Sequence, residues 1–209
     1  DGTPAQIASG QDPRHVFAAW LIRPENPWFA RAIVNRVWAW LLGRGIVHEP
    51  DDVRDDNPPS NPALLAYLTA RLPQLGWDLK ALMREILNSQ TYQLAPIPAV
   101  EHPQAAAQFA YYPTRRLEAE VLMDALCMIS GTTEEYQSPI PEPFTWVPKN
   151  VRTIQLGDGS ISSPFLEMFG RPPRDTGLES ERSNRITPEQ RLHLLNSSHI
   201  RRKIEQGPK

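Results

Sequence analysis

The stretch from Asn26 to Gly45, N-P-W-F-A-R-A-I-V-N-R-V-W-A-W-L-L-G-R-G, constrains this fold more than any other part of the chain. At about 100° per residue, Phe29, Ile33, Val37, Trp40 and Leu41 share one broad side of a helix, while Trp38, Leu42 and Trp28 cover most of the rest. A helix that is apolar nearly all round belongs in an interior. This one also carries Arg31, Asn35 and Arg36 in its body. A buried guanidinium is costly unless a carboxylate and hydrogen-bond acceptors meet it, so partners are expected elsewhere in the chain.

A second segment offers them. The run from Thr114 to Ser130, closed by Gly131, reads as another helix apolar nearly all round, and it holds Glu118, Glu120 and Asp124. Glu120 and Asp124 stand at i and i+4, with Arg116 one turn earlier, so part of their charge can be met within the helix. The expectation is a buried network that joins Arg31, Asn35 or Arg36 to carboxylates drawn from Glu118, Glu120, Asp124 and the Asp51-Asp52 pair. Its first reading is structural, docking helices; the second is a charged pocket for a ligand or for catalysis.

Helix signals recur along the chain. Asp12-Pro13, Asn26-Pro27 and Asn61-Pro62 each pair an N-cap with proline at the first helical position, predicting helices that reach about Leu21, Leu42 and Arg71. Gly43 or Gly45 ends the second. Asp78 opens a fourth, with Leu79, Leu82, Met83, Ile86 and Leu87 on one face, and it should form a hairpin with the third. Residues Pro96 to Tyr112 read as loop with one turn near Gln104 to Phe109. Thr132 to Ser160 reads as irregular chain with at most a short strand or hairpin at Val151 to Leu156, before the turn Gly157-Asp158-Gly159-Ser160. A short helix covers Pro164 to Phe169, and the capping box Thr187-Pro-Glu-Gln190 opens a terminal helix to about Gln206. The 22 prolines, about twice the usual ~5% frequency, cluster in Asn57 to Pro62, Pro96 to Pro113 and Ser138 to Pro148. The fold class that follows is mainly α: a compact helical domain of about six to seven helices with long Pro-rich irregular connections. It is read as a single domain over 1–209, with a subdivision into 1–95 and 96–209.

The chemistry these residues exclude is easier to state than the chemistry they support. A net charge of −2 over 209 residues removes the electrostatic argument for nucleic acid, and Arg201, Arg202 and Lys203 read as a solvated basic helix end. Cys127 is the one cysteine, so a disulfide framework, a redox pair and haem attachment are all missing from this chain. No apolar run reaches the roughly 18 residues of a membrane span. The histidines do not converge: His193 and His199 stand six apart where i and i+4 would share a metal face, and His15, His48 and His102 are isolated. Asp51-Asp52-Val53-Arg54-Asp55-Asp56 lacks the calcium-loop pattern and reads as a surface turn. No Gly-x-Ser-x-Gly elbow, Rossmann glycine pattern or Walker lysine occurs. No cofactor or metal is assigned to this domain. Of Trp20, Trp28, Trp38, Trp40, Trp77 and Trp146, four fall in or beside apolar helical stretches and read as core, and Trp146, near Phe144 and Tyr136, is the best exposed platform.

Several motifs together carry a resemblance. They are the Asn26 to Gly45 run followed by G-I-V-H-E-P-D-D-V-R and N-P-P-S-N-P, the segment W-D-L-K-A-L-M-R-E-I-L-N-S-Q-T-Y-Q-L, and the pair R-R-L-E-A-E-V-L-M-D-A-L with F-G-R-P-P-R. From about Pro13 to Lys203 the chain resembles the bacterial domain of unknown function 1553, named for its association with planctomycete cytochromes. The resemblance implies a C-terminal position in an exported, multidomain polypeptide of the periplasm or cell envelope, with haem confined to a separate domain. It implies no reaction. Family members commonly have a cysteine-containing acidic stretch after F-G-R-P, whereas this chain reads G-L-E-S-E-R, leaving Glu179, Glu181 and Arg182 for the polar network or the surface. The chain opens on Asp1, consistent with a processed product or a piece of a longer polypeptide.

The leading expectation is therefore an accessory or interaction domain whose partners are sibling domains or envelope proteins. One alternative is a hydrolase-like enzyme acting on carbohydrate, with Glu120, Asp124 and Asp51 or Asp52 as acid/base groups and Arg36 or Arg171 holding an anion. Another is a carbohydrate-binding module that uses Trp146 and Tyr136 as exposed, coplanar rings.

Overall fold

The computed structural model describes residues 4–23, 25–147, 150–157, 159–161, 163–172 and 181–208. Among them the protein is mainly α, and no helix is long and apolar enough to cross a membrane. The chain divides into two units, Asp1–Thr114 and Arg115–Lys209.

The first unit contains α1 (Pro13–Leu21), α2 (Phe29–Leu42), α3 (Pro62–Gln74) and α4 (Leu79–Leu87). The caps act as their chemistry requires: Asp12 accepts from the Arg14 amide, Asn61 from Leu64, and Asp78 from Lys80 and Ala81. Asn26 accepts from the amides of Trp28 and Phe29, so the turn it organises delays α2 by two residues from the proline. Gly43, at φ 79°, closes α2 in the left-handed region where a side chain is disfavoured. Helix α2 packs on α3 and α4 around Val34, Val37, Trp38, Leu42, Leu68, Leu72, Leu82 and Ile86.

Helix α2 is less enclosed than its composition predicts. Its buried arc runs through Ala30, Val34, Asn35, Val37, Trp38, Ala39 and Leu42, whereas Trp40 is exposed, as is Trp28 just ahead of the helix. Trp20 is exposed too, so Trp38 is the core tryptophan of this stretch, while Trp77 is half-buried beside Phe29 with ring centroids 5.6 Å apart. Residues 96–114 go with the first unit, although the expected seam was at 95/96. Phe109 meets Trp38 edge-on at 5.2 Å, and the Tyr112 hydroxyl donates to the Leu41 carbonyl at 3.2 Å.

The second unit contains α5 (Ala119–Ser130), a 3-10 turn η1 (Thr153–Gln155), α6 (Pro164–Met168), α7 (Pro188–Asn196) and α8 (Ser198–Gln206). Ala119, Met123, Tyr136, Ile161, Phe165, Leu166 and Phe169 form its core. Three expectations change here. Helix α5 begins at Ala119, after an extended approach, rather than at Thr114. The segment expected as at most a strand or hairpin is η1. The single terminal helix is two, because Ser197 is extended at ψ 148° and its hydroxyl accepts from the Ile200 amide, starting α8 afresh. Thr187 and Gln190 do form the reciprocal capping box that opens α7. The turn at 157–160 is described except for Asp158, which lies outside the described residues, as does Glu179.

Candidate functional site

Polar groups buried by α2 serve the loop that follows it. The fully buried Asn35 accepts from the Val47 amide at 2.9 Å and donates from Nδ2 to the carbonyls of Val47 and Pro50, each at 3.1 Å. Gly45 makes this approach possible, since a Cβ there would lie 2.1 Å from the Val47 carbonyl oxygen. Arg36 is only partly buried and pairs with Asp51. Asp52 receives Arg54 at 2.5 Å and 2.8 Å on the surface. Arg31 is half-buried, with its Nε making no hydrogen bond among the described residues.

The carboxylates of α5 find arginines in their own unit. Glu120 is buried, accepts from Arg182 at 2.9 Å and 3.0 Å, and lies 3.4 Å from the Nε of Arg171, itself 3% exposed. Exposed Glu118 stands 3.9 Å from Arg182. These carboxylates come from the start of α5 and the guanidiniums from the chain after α6, so the cluster ties two distant segments to one helix end. Gly170 lies beside it at φ +91°, where a Cβ would strike the Ser183 carbonyl at 1.9 Å. Asp124 accepts from the amides of Thr153 at 2.6 Å and Ile154 at 3.3 Å and pairs with Arg152 at 3.4 Å. It thereby caps η1, taking up amides that a short 3-10 turn leaves unpaired. Glu120 is thus clamped between two arginines, and Asp124 is committed to two backbone amides.

A cleft of ≈ 640 Å³ opens between α5, the chain from Gly131 to Tyr136 and the chain from Asn150 to Ile154. Val121, Ala125 and Met128 give it an apolar α5 wall, and Asp124, Cys127, Thr132, Glu134 and Arg152 supply polar groups. At its edge stands Lys203 of α8, 5% exposed. Its ammonium donates to Glu134 at 2.7 Å, to the Thr133 carbonyl at 3.1 Å and to the Cys127 Sγ at 3.2 Å. His199 meets the same Glu134 oxygen through Nε2 at 3.0 Å, and its Nδ1 lies 3.2 Å from the His193 Nε2. Burial pushes the Glu134 carboxyl up, but the hydrogen bonds from His199 and Lys203 outweigh it and hold the group below its ordinary value of 4.5. Burial, and then the neighbouring His199, push His193 below 6.5.

This cluster is what sequence spacing missed. A continuous helix turns residues six apart away from each other, but the break at Ser197 lets α7 and α8 fold back and bring His193 to His199. Asn196-Ser197-Ser198 was the available signal, a second N-cap pattern within the presumed helix. Lys203 departs from the expected solvated basic end: it shares the inner face of α8 with His199 at i and i+4, while Arg201 and Arg202 stay in solvent. Among the described residues, no group of three His, Cys, Asp or Glu side chains is arranged to hold a metal ion. The tyrosine expected as a binding platform also turns inward. Tyr136 is 7% exposed, bonds Thr153 through its hydroxyl, and has its pKa pushed up to about 12 by burial, whereas Trp146 is 72% exposed. The pair of exposed rings is therefore not formed.

The two depressed groups of this cluster, with His48, which burial also pushes below 6.5, shape the pH dependence. His193 and Glu134 bind protons more weakly folded than unfolded, so their contribution to stability is complete above their unfolded values and lost as pH falls through the folded ones. The thermal midpoint is expected to fall from about pH 6.5 downward through His193 and again below about 4.5 through Glu134. His193→Gln should reduce the first step, of which His48 keeps a share, in a melting series from pH 7 to pH 3, leaving the second in place.

These features define a mainly α protein with buried ion pairs and an apolar-walled cleft edged by a Cys-Lys-Glu-His cluster. The chain belongs to the family described as PSD1, protein of unknown function (DUF1553), whose model matches residues 13–206. Comparison with curated proteins and with solved structures returns no match.

Proposed function

We propose that this chain is an accessory or interaction domain of a bacterial, envelope-associated multidomain polypeptide with a cytochrome-linked context, and that α1 is its docking element for a sibling domain. One observation carries the docking role: α1 has no buried residue, although it presents Phe17 at 59% and Trp20 at 45% exposure, stacked at 5.8 Å. Ile7 and Ile22 on its flanks are exposed as well. A nine-residue helix is marginal alone in water, and stability for such a segment comes from covering its apolar side. The motif resemblance, which implies a C-terminal place in a longer polypeptide, supports the multidomain setting.

The test is amide hydrogen exchange of α1 in this chain and in the complete gene product that contains it. Fast exchange in the former and protection in the latter are the expected results. Equal exchange in both defeats the proposal, and protection that grows with the concentration of this chain assigns the surface to self-association instead.

A further inference from the structure

We propose that Cys127, Lys203 and Glu134 form a nucleophilic triad for acyl transfer, hydrolysing amides or esters whose apolar acyl group lies in the cleft beside α5. The sequence places these residues on α5, on α8 and on the intervening extended chain, 76 residues separating Cys127 from Lys203. The fold brings them into line, with Glu134 to Lys203 at 2.7 Å and Lys203 to Cys127 at 3.2 Å. Cys127 and Glu134 line the cleft, and the largely buried Lys203 brings Nζ to its edge, 3.2 Å from Sγ. A nucleophile, a proton carrier within hydrogen-bond reach and a third group that orients the carrier are the parts covalent acyl transfer needs. Glu134 is itself held by His199, so the ammonium is aimed by a carboxylate with a fixed orientation. Hydrogen bonds from His199 and Lys203 keep that carboxyl ionised despite its burial. The Val121, Ala125 and Met128 wall suits an apolar acyl chain and excludes water from one side.

The reaction runs in two balanced halves. Cys127 reacts as the thiolate with the Lys203 ammonium as counter-charge: Sγ attacks the carbonyl carbon, a C–S bond forms and the carbonyl π pair moves to oxygen. Collapse of that adduct breaks the bond to the amine or alcohol, which leaves with a proton from Lys203 Nζ. Water then adds to the thioester while giving a proton to Nζ, the C–S bond breaks, and the carboxylic acid departs, restoring thiolate and ammonium. The net change is acyl compound plus water to acid plus amine or alcohol. Glu134 touches neither substrate nor Sγ and acts as a positioning residue through Lys203.

The experiment treats the 209-residue protein with p-nitrophenyl acetate and butyrate and follows p-nitrophenolate release, with intact-mass detection of an acyl adduct. The expected result is a stoichiometric burst, an adduct on Cys127, continuing turnover, and faster reaction with the longer acyl chain. Cys127→Ala should abolish the adduct, and Lys203→Met should slow its formation by about 100-fold. Glu134→Gln should move the pH–rate profile of acylation, which a purely structural role would leave in place. The wild-type comparison is independent of any folding defect in the variants: acylation of Cys127 no faster than that of N-acetylcysteinamide at the same pH overturns the proposal. An adduct that forms but never turns over overturns the hydrolytic claim.

Discussion

Glu120→Ala is expected to cost the second unit about 3–5 kcal/mol, the loss that follows when one partner of a buried ion pair is removed and the other stays buried. Glu120 takes both hydrogen bonds from Arg182 and neighbours Arg171, whose side chain is 3% exposed and cannot recover full hydration without opening the fold. Amide exchange of α5 and α6 is the direct readout, since a local loss is then separated from the behaviour of the first unit. Pairing Glu120→Leu with Arg171→Met should recover only the Arg171 share of the loss, because Arg182 still loses both of its Glu120 hydrogen bonds. A change below about 1 kcal/mol in the single variant would show that the arginines do not depend on Glu120.

Asn35→Ala should have an effect of similar size in the first unit, about 3–5 kcal/mol, from three buried backbone groups that lose their partner together. The Val47 amide and the Val47 and Pro50 carbonyls have their Asn35 bonds inside the fold, where no water replaces them at low cost. Asn35→Asp keeps the shape and the acceptor for the Val47 amide but turns a charge toward two carbonyl oxygens, so it should be at least as damaging. Urea denaturation with exchange of the Val47 amide measures both. An unchanged Val47 amide would remove Asn35 from its role as the clamp of the 45–50 loop.

Legibility along the chain followed the range of the interaction. Asp12, Asn61, Asp78 and Thr187 each cap a helix through a bond spanning two or three residues, and Gly43 and Gly131 end α2 and α5 by a local left-handed turn. Such contacts are written in adjacent residue types. Ser197 was also local, but periodicity ran on through it, and losing that break hid the meeting of His193 with His199. The α5 start was misplaced because Thr114 to Glu118 has helix-compatible residues whose arginines are drawn into long-range contacts, such as Arg116 donating to the Ser183 carbonyl at 2.9 Å.

Residue type alone determined that this chain would be mainly α, that its helices would begin and end near their Asx, Ser, Thr, Pro and Gly signals, and that its buried charges would need partners. Which partners they took was a tertiary decision. Glu120 meets Arg182 across 62 positions, and Lys203 meets Cys127 across 76. Charge attracts without regard to sequence distance, so any carboxylate suits any arginine until packing brings a particular pair within about 3 Å and removes the water that would otherwise compete.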